Sequence, residues 1–337
     1  MLDGKWVVDE LLGRGGMGTV LRGHSIDEPE HHVAVKILHE QSPVAVRRFS
    51  REVELLRQVD HPYVVRLIDA SVDGRVRYLV MELVEGETLA DLLDRVGPLP
   101  PARALAMAAS VADALHHLHE LGIHHRDLKP TNLIVNGDTL KLLDFGIAKP
   151  ETGGTGITEQ GSAVGTAAYA PPEWLWPDRQ SGSAWDLYSL GVVLFEMLCG
   201  VPAYPSNPGA RKLDDTMRIM KAKGMGALPS LGPHQPEALS ELFALLCHRD
   251  PAERCESAAS ARRRLLVLAQ EPFIASLPAI PYEAPNTPVP NTWSDTRTWG
   301  SLAAPPRPVQ PAPLGSTVAL LLGAGVLAAV LAWLALS

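Results

Sequence analysis

The stretch His125-Arg126-Asp127-Leu128-Lys129-Pro130-Thr131-Asn132 is followed, twelve residues beyond Asn132, by Asp144-Phe145-Gly146. It sets a carboxylate, an ammonium and an amide close together on one loop. A second carboxylate arrives after a short apolar run, Leu140 to Leu143. Such a set is suited to orienting a hydroxyl and holding magnesium against a nucleotide's phosphates. Alone, Asp127 or Asp144 would read as a turn cap. With Lys129 and Asn132 between them, they read as chemistry.

Upstream, Leu11-Leu12-Gly13-Arg14-Gly15-Gly16-Met17-Gly18-Thr19-Val20 gives the Gly-x-Gly-x-x-Gly spacing at Gly13, Gly15 and Gly18. Glycines let backbone N–H groups approach phosphates with no Cβ in the way. Plain turns and dinucleotide-binding folds share this spacing. A dinucleotide fold would enter a helix next, whereas here strand-like residues continue through Val20 and Leu21. A second strand-like run follows, Val33-Ala34-Val35-Lys36-Ile37-Leu38. Lys36 in that run reads as an ammonium aimed at phosphates rather than a solvated side chain. Apolar residues at helical spacing, Val46, Phe49, Val53, Leu56 and Val59, predict a helix over 43–59. It carries Glu52 and Glu54. Strand-like segments follow at Val64 to Leu67 and Tyr78 to Leu83. The second runs through Met81-Glu82-Leu83-Val84, whose backbone N–H and C=O groups can read an adenine edge. A long helical pattern then covers Pro101 to Leu121 and supports the opening loop.

The ordered series resembles a eukaryotic-type (Hanks-type) protein kinase over roughly residues 6–268. The resemblance implies an α+β, bilobal fold, with a β-rich first lobe holding one main helix and an α-helical second lobe. Lys129 marks the serine/threonine class, and Gly15-Gly16-Met17-Gly18 is similar to bacterial kinases of that class with a single membrane span. In such a kinase Asp127 would orient the substrate hydroxyl or accept its proton, and Lys129 would offset phosphoryl charge. Asn132 and Asp144 would hold magnesium, or manganese in its place. Lys36 would contact the α- and β-phosphates of ATP, and Glu52 would pair with it. Leu12, Gly13, Gly15, Gly16, Gly18, Val20, Ala34, Lys36, Met81, Glu82, Val84 and Leu133 would surround the nucleotide.

Gly165-Thr166 and Pro171-Pro172-Glu173 match the elements that form the family's peptide platform, with Pro171 where the family usually has alanine. That departure bears on local backbone geometry. Glu173 is expected to pair with Arg254, and Asp186 to anchor the backbone of the catalytic loop. The cluster His116, His117, His119, His124 and His125 lacks the acid or cysteine that would complete a metal site, so packing roles are expected. Arg126 beside Asp127 implies activation by loop phosphorylation, with Thr158 the first candidate and Ser162 the second. Two other readings are weighed. A binding-only pseudokinase predicts loss of Lys36, Asp127, Asn132 or Asp144, and none is lost. A small-molecule kinase would lack the peptide platform.

The net charge of −8 and the lack of a basic run exclude general nucleic-acid binding. Cys199, Cys247 and Cys255 lack paired metal spacing and read as reduced thiols. The N-terminus shows no signal-peptide pattern. Residues 269–315 read as a proline-rich linker that cannot bury enough surface to offset its ordering entropy. Residues 316–336 read as a transmembrane helix. Twenty uncharged residues, 317–336, reach roughly 30 Å at about 1.5 Å each. Arg297 and Arg307 precede the span and nothing basic follows it, which keeps the kinase domain and N-terminus in the cytoplasm. The expected chain is thus single-pass in the cell membrane, with no outside sensor domain. Its expected partners are ATP, proteins bearing serine or threonine, and a second copy paired through the smaller lobe.

Overall fold

The computed structural model describes residues 1–14, 18–39, 43–143, 167–175, 182–207, 209–226, 228–232 and 235–280. Its first part is an antiparallel sheet of five strands: β1 (Trp6–Arg14), β2 (Gly18–Ser25), β3 (His32–Leu38), β4 (Leu67–Ser71) and β5 (Tyr78–Glu82). Their spatial order is β1-β2-β3-β5-β4. Side chains alternate across the sheet. Val33 and Val35 face one way and pack with Trp6, Tyr78 and Val80 in a small core. Leu79 and Met81 face the other way and join Phe49, Val53 and Leu56 of helix α1 (Pro43–Leu56) in the main core.

Two element boundaries differ from those the sequence predicts. Helix α1 ends at Leu56, not at residue 59. Val59 is still buried, so its apolar character reports burial in a turn rather than helix. The strand expected around Val64 begins instead at Leu67. Val64 makes an isolated parallel bridge to Leu142, and the Val65 N–H donates to the Leu142 carbonyl at 3.0 Å. That stretch is therefore drawn to the second lobe, away from the five-stranded sheet.

The second lobe opens with β6 (Glu87–Thr88), α2 (Leu89–Val96) and α3 (Pro101–Glu120). Thr88 caps α2 by accepting from the Asp91 N–H, and Pro101 starts α3 at a position where its missing N–H costs nothing. Strands β7 (Leu133–Asn136) and β8 (Thr139–Leu142) pair with β6 in a small antiparallel sheet, order β6-β7-β8. Helix α4 (Gly182–Cys199) is buried at every residue from Ala184 to Cys199. A helix buried all round belongs at the centre of a core, and its few polar residues, Asp186, Ser189 and Glu196, are buried with it. Of the remaining helices, α5 (Lys212–Gly224) packs on the turn at 172–175, α6 (Glu237–Leu246) and α7 (Ala258–Gln270) pack on α4, and α8 (Pro272–Ser276) packs on α3 and α7.

A Cβ added at Gly191 of α4 would stand 2.5 Å from the Cys247 Sγ and 2.8 Å from the Leu246 Cβ, so glycine sets the approach of α4 to the end of α6. The three cysteines are free and buried. Folded helix continues past residue 268. Gln270 still belongs to α7, and Ile274 of α8 is buried, so the linker expected from residue 269 does not start there. Among the described residues no helix is long and apolar enough to cross a membrane, and the expected span at 316–336 lies outside them.

Candidate active site

Strand register builds the first wall. Ala34 stands opposite Met81, and Lys36 opposite Leu79 and Val20. Directly opposed residues share a sheet face. Val20, Ala34, Lys36 and Met81 therefore stand together, on the side away from Val33 and Val35. Leu12 sits at the register break between Leu11 and Gly13 and is exposed. A Cβ on Gly18 would lie 2.3 Å from the Ile37 carbonyl oxygen. The missing side chain at Gly18 is thus explained by strand packing before any ligand is considered. Gly13 has open space around it, while Gly15 and Gly16 lie outside the described residues.

At the crossover between lobes the Glu82 N–H donates to the Arg66 carbonyl at 3.0 Å, so it is spent on the sheet. Its own carbonyl and the backbone of Val84 follow at the end of β5. The Glu82 carboxylate accepts from the Arg66 N–H at 2.9 Å and from the Lys141 ammonium. Leu133, expected beside the nucleotide, is wholly buried in the main core. Met81 belongs to the same core cluster, and Ile134, next along β7, is half-buried.

The second wall is the loop 125–132. Asp186 of α4 accepts from the backbone N–H of His125 (2.9 Å) and Arg126 (2.8 Å), and from His119 Nε2 (2.9 Å). Burial works to raise the Asp186 pKa, but the His119 hydrogen bond and charge, with His125 and the Arg126 N–H, outweigh it and hold the carboxyl below its ordinary value. Arg126 adopts a φ of 58°, a costly conformation for a residue with a Cβ, and Asp186 holds it there. His125 is fully buried; its Nε2 donates to the Leu143 carbonyl at 2.9 Å, and its Nδ1 accepts from the Asp127 N–H at 3.3 Å. Lys129 Nζ donates to Asp127 Oδ2 at 3.0 Å.

Asn132 Nδ2 donates to the Asp127 carbonyl at 2.8 Å and is 3.4 Å from Asp127 Oδ2. With its nitrogen so engaged, Asn132 can offer a cation its amide oxygen, the hard donor that magnesium prefers. The Asn132 carbonyl also accepts from the Leu143 N–H at 2.8 Å. The loop is thereby stapled at two points to the residue that precedes Asp144.

Asp127, Lys129 and Asn132 are thus brought together by direct contacts. Asp144, Thr158 and Ser162 lie outside the described residues. Glu52 is on α1, but its side chain lies outside them too. Farther down the chain, Arg254 donates two hydrogen bonds to Glu173, at 2.6 and 2.7 Å, as expected. Prolines 171 and 172 lead into a short 3₁₀ turn, Pro172–Leu175. Among the described residues no cluster of histidine, cysteine or acid could hold a metal ion by itself.

Residues 6–265 match the family model described as the protein kinase domain. The chain belongs to the protein kinase family. The kinase domain is 41% identical over 215 residues to the serine/threonine-protein kinase pkn2 of Myxococcus xanthus, covering 59% of this chain and 25% of that protein. It is 36% identical over 264 residues to the serine/threonine-protein kinase PknH of Mycobacterium bovis, covering 76% and 42%. This kinase therefore spans less than half the length of these curated relatives. Among solved structures, residues 1–466 of Rad53 in complex with AMP-PNP align with a TM-score of 0.64 at 26% identity, covering 78% of this chain and 65% of that one.

Two polar pairs of the kinase domain escape sequence reasoning. Lys141, within the run 140–143 noted above only as apolar, reaches Glu82. Tyr169 donates to Glu196 Oε2 at 2.7 Å, and Glu196 is flanked on α4 by apolar residues. Burial, aided by the charge of Asp94, raises the Glu196 pKa despite the Tyr169 hydrogen bond. Spacing carries no signal for either pair, because their partners are 59 and 27 residues away.

Proposed function

We propose that this chain is a serine/threonine protein kinase that transfers the γ-phosphoryl group of ATP to hydroxyls of protein substrates. The observation that carries the reading is the convergence of Lys129 Nζ and Asn132 Nδ2 on Asp127, on a loop whose backbone Asp186 pins from the central helix. In this reading the Asp127 carboxylate orients the attacking serine or threonine hydroxyl and takes its proton. Lys129 balances negative charge on the group in flight. Asn132 and Asp144 hold magnesium, with manganese an acceptable substitute, and the cation supplies charge neutralisation at the phosphates. Lys36, positioned by Glu52, holds the α- and β-phosphates. Val20, Ala34 and Met81 pack on the base, and the Glu82 carbonyl and Val84 backbone read its edge. Activity rises on autophosphorylation at Thr158 or Ser162, and the span at 316–336 tethers the domain to the cytoplasmic face of the cell membrane.

Transfer of radiolabel from ATP to a generic protein tests the catalytic assignment. Asp127→Asn is expected to reduce the rate by about 10²–10⁴-fold, the usual worth of a positioned acid–base group. Equal signal in the two proteins rejects it. Fractionation of a chain ending at Pro313 tests the tether, which fails if that chain pellets with membranes as the full chain does.

A further inference from the structure

Four consecutive carbonyls, from Ala167 to Ala170, are all held by side chains. Lys223 Nζ, on α5, donates to the carbonyls of Ala167 (2.9 Å), Ala168 (2.6 Å) and Ala170 (2.6 Å). The Ser189 hydroxyl, on α4, donates to the carbonyl of Tyr169 at 3.1 Å. The sequence explains why side chains must do this. Ala167, Ala168 and Tyr169 have helical backbone. The helical partner of a carbonyl is the N–H four residues on. For Ala167 that residue is Pro171 and for Ala168 it is Pro172, and proline has no N–H to give. Buried carbonyls left without donors are costly.

Lys223 supplies the missing donors. It is 2% exposed and, among the described residues, makes hydrogen bonds to no carboxylate. Its ammonium also lies 4.4 Å from the centre of the Tyr204 ring and 5.1 Å from that of Tyr188, where ring faces favour a cation. Burial opposes the charge and draws the lysine well below its ordinary pKa. Only the protonated form, though, has three N–H groups for three acceptors.

We infer that Lys223 is a positioning residue: it stands in for the backbone donors that Pro171 and Pro172 lack, and so fixes segment 167–170 in register with the catalytic loop. Both ends of that register meet on α4. Ser189 holds Tyr169 while Asp186, three residues earlier, holds His125 and Arg126. Resting on the proposed kinase function, the consequence is that Lys223 governs how a substrate peptide is held, not how ATP is bound.

The test compares wild type, Lys223→Met, Pro171→Ala and the double variant in the full chain, by peptide kinetics and by amide hydrogen exchange. Lys223→Met is expected to raise the KM for peptide roughly tenfold, equivalent to about 1.4 kcal/mol. The KM for ATP and the slow hydrolysis of ATP by water should stay within about twofold. Exchange at Tyr169 and Ala170 should accelerate while α4 stays protected. Pro171→Ala restores one N–H, so the double variant should recover part of both effects, a coupling that general destabilisation does not produce. Should Lys223→Met fail to fold, Lys223→Gln, which keeps two donors, is expected to give intermediate values in both assays. Unchanged peptide KM and unchanged exchange in the folded variant overturn the inference, as does an equal loss of peptide and ATP binding. A wild-type chain that transfers nothing to peptide sinks the kinase reading instead, and the exchange comparison then still decides the role of Lys223.

Discussion

Asp186 gathers three donors on one buried carboxylate, and through them the position of Asp127 depends on it. Asp186→Asn replaces one acceptor oxygen with a donor that faces an N–H. The expected outcome is a loss in kcat of roughly 10²-fold, the scale of a small misplacement at the reacting centre, with the KM for ATP little changed. Steady-state kinetics check this, and a variant with wild-type kcat contradicts it. The carboxyl's folded pKa is depressed, so the stability it contributes is present above the unfolded carboxylate value of about 3.9 and is lost as pH falls through the lower, folded value. At this scale the sequence is readable where a residue type is rare in its setting. Asp127, Lys129 and Asn132 announce themselves by spacing on one loop. Lys223 does not, because a lysine near the end of a polar helix looks solvated until the two prolines 171 and 172 are placed against it. Gly18 was legible as a necessary glycine, but the backbone it must clear belongs to β3.

Among the elements, the Glu173–Arg254 pair clasps the turn after Pro172 to the loop after α6. Both side chains are almost fully buried, and Arg254 also donates to the Ala184 carbonyl at 2.8 Å, tying in α4. Arg254→Met leaves Glu173 charged and unpaired and is expected to destabilise the fold by about 3–5 kcal/mol, seen as a lower urea midpoint. Replacing both residues with apolar ones of similar volume should recover much of that loss. Gly191→Ala forces a methyl into Cys247 and Leu246 and is expected to cost about 1–3 kcal/mol in the same assay. Helical and alternating apolar periods made most elements legible, including α3 to within one residue. The misplacements share one cause. Val59, Val64 and Ile274 are apolar because they are buried, and burial outside regular structure imitates the pattern of a helix or strand, or hides a short helix behind a proline.

The fold should weaken in mild acid, where two partly buried histidines resist the protons that the unfolded chain accepts. His61 and His124 both have lowered pKa values, chiefly through burial, which outweighs the charges of Asp113 and Asp186 respectively. Below about pH 6.5 the unfolded chain takes up protons that the folded chain resists, so stability falls as pH drops through that value. The expected result is a urea midpoint that declines from pH 7 to pH 5, with a shallower decline in His61→Gln. A midpoint flat across that window contradicts it. The two-lobed plan was legible because strands come first and helices later along the chain, in the order the motifs require. The bracing between the lobes was not, since it joins residues distant in sequence. Glu82 shows what that bracing entails. One carboxylate accepts from Arg66, just before β4, and from Lys141 on β8. It works as an axle pin through the crossover. A rotation of one lobe against the other about this carboxylate would leave both bonds in place, whereas a separation of the lobes would break them.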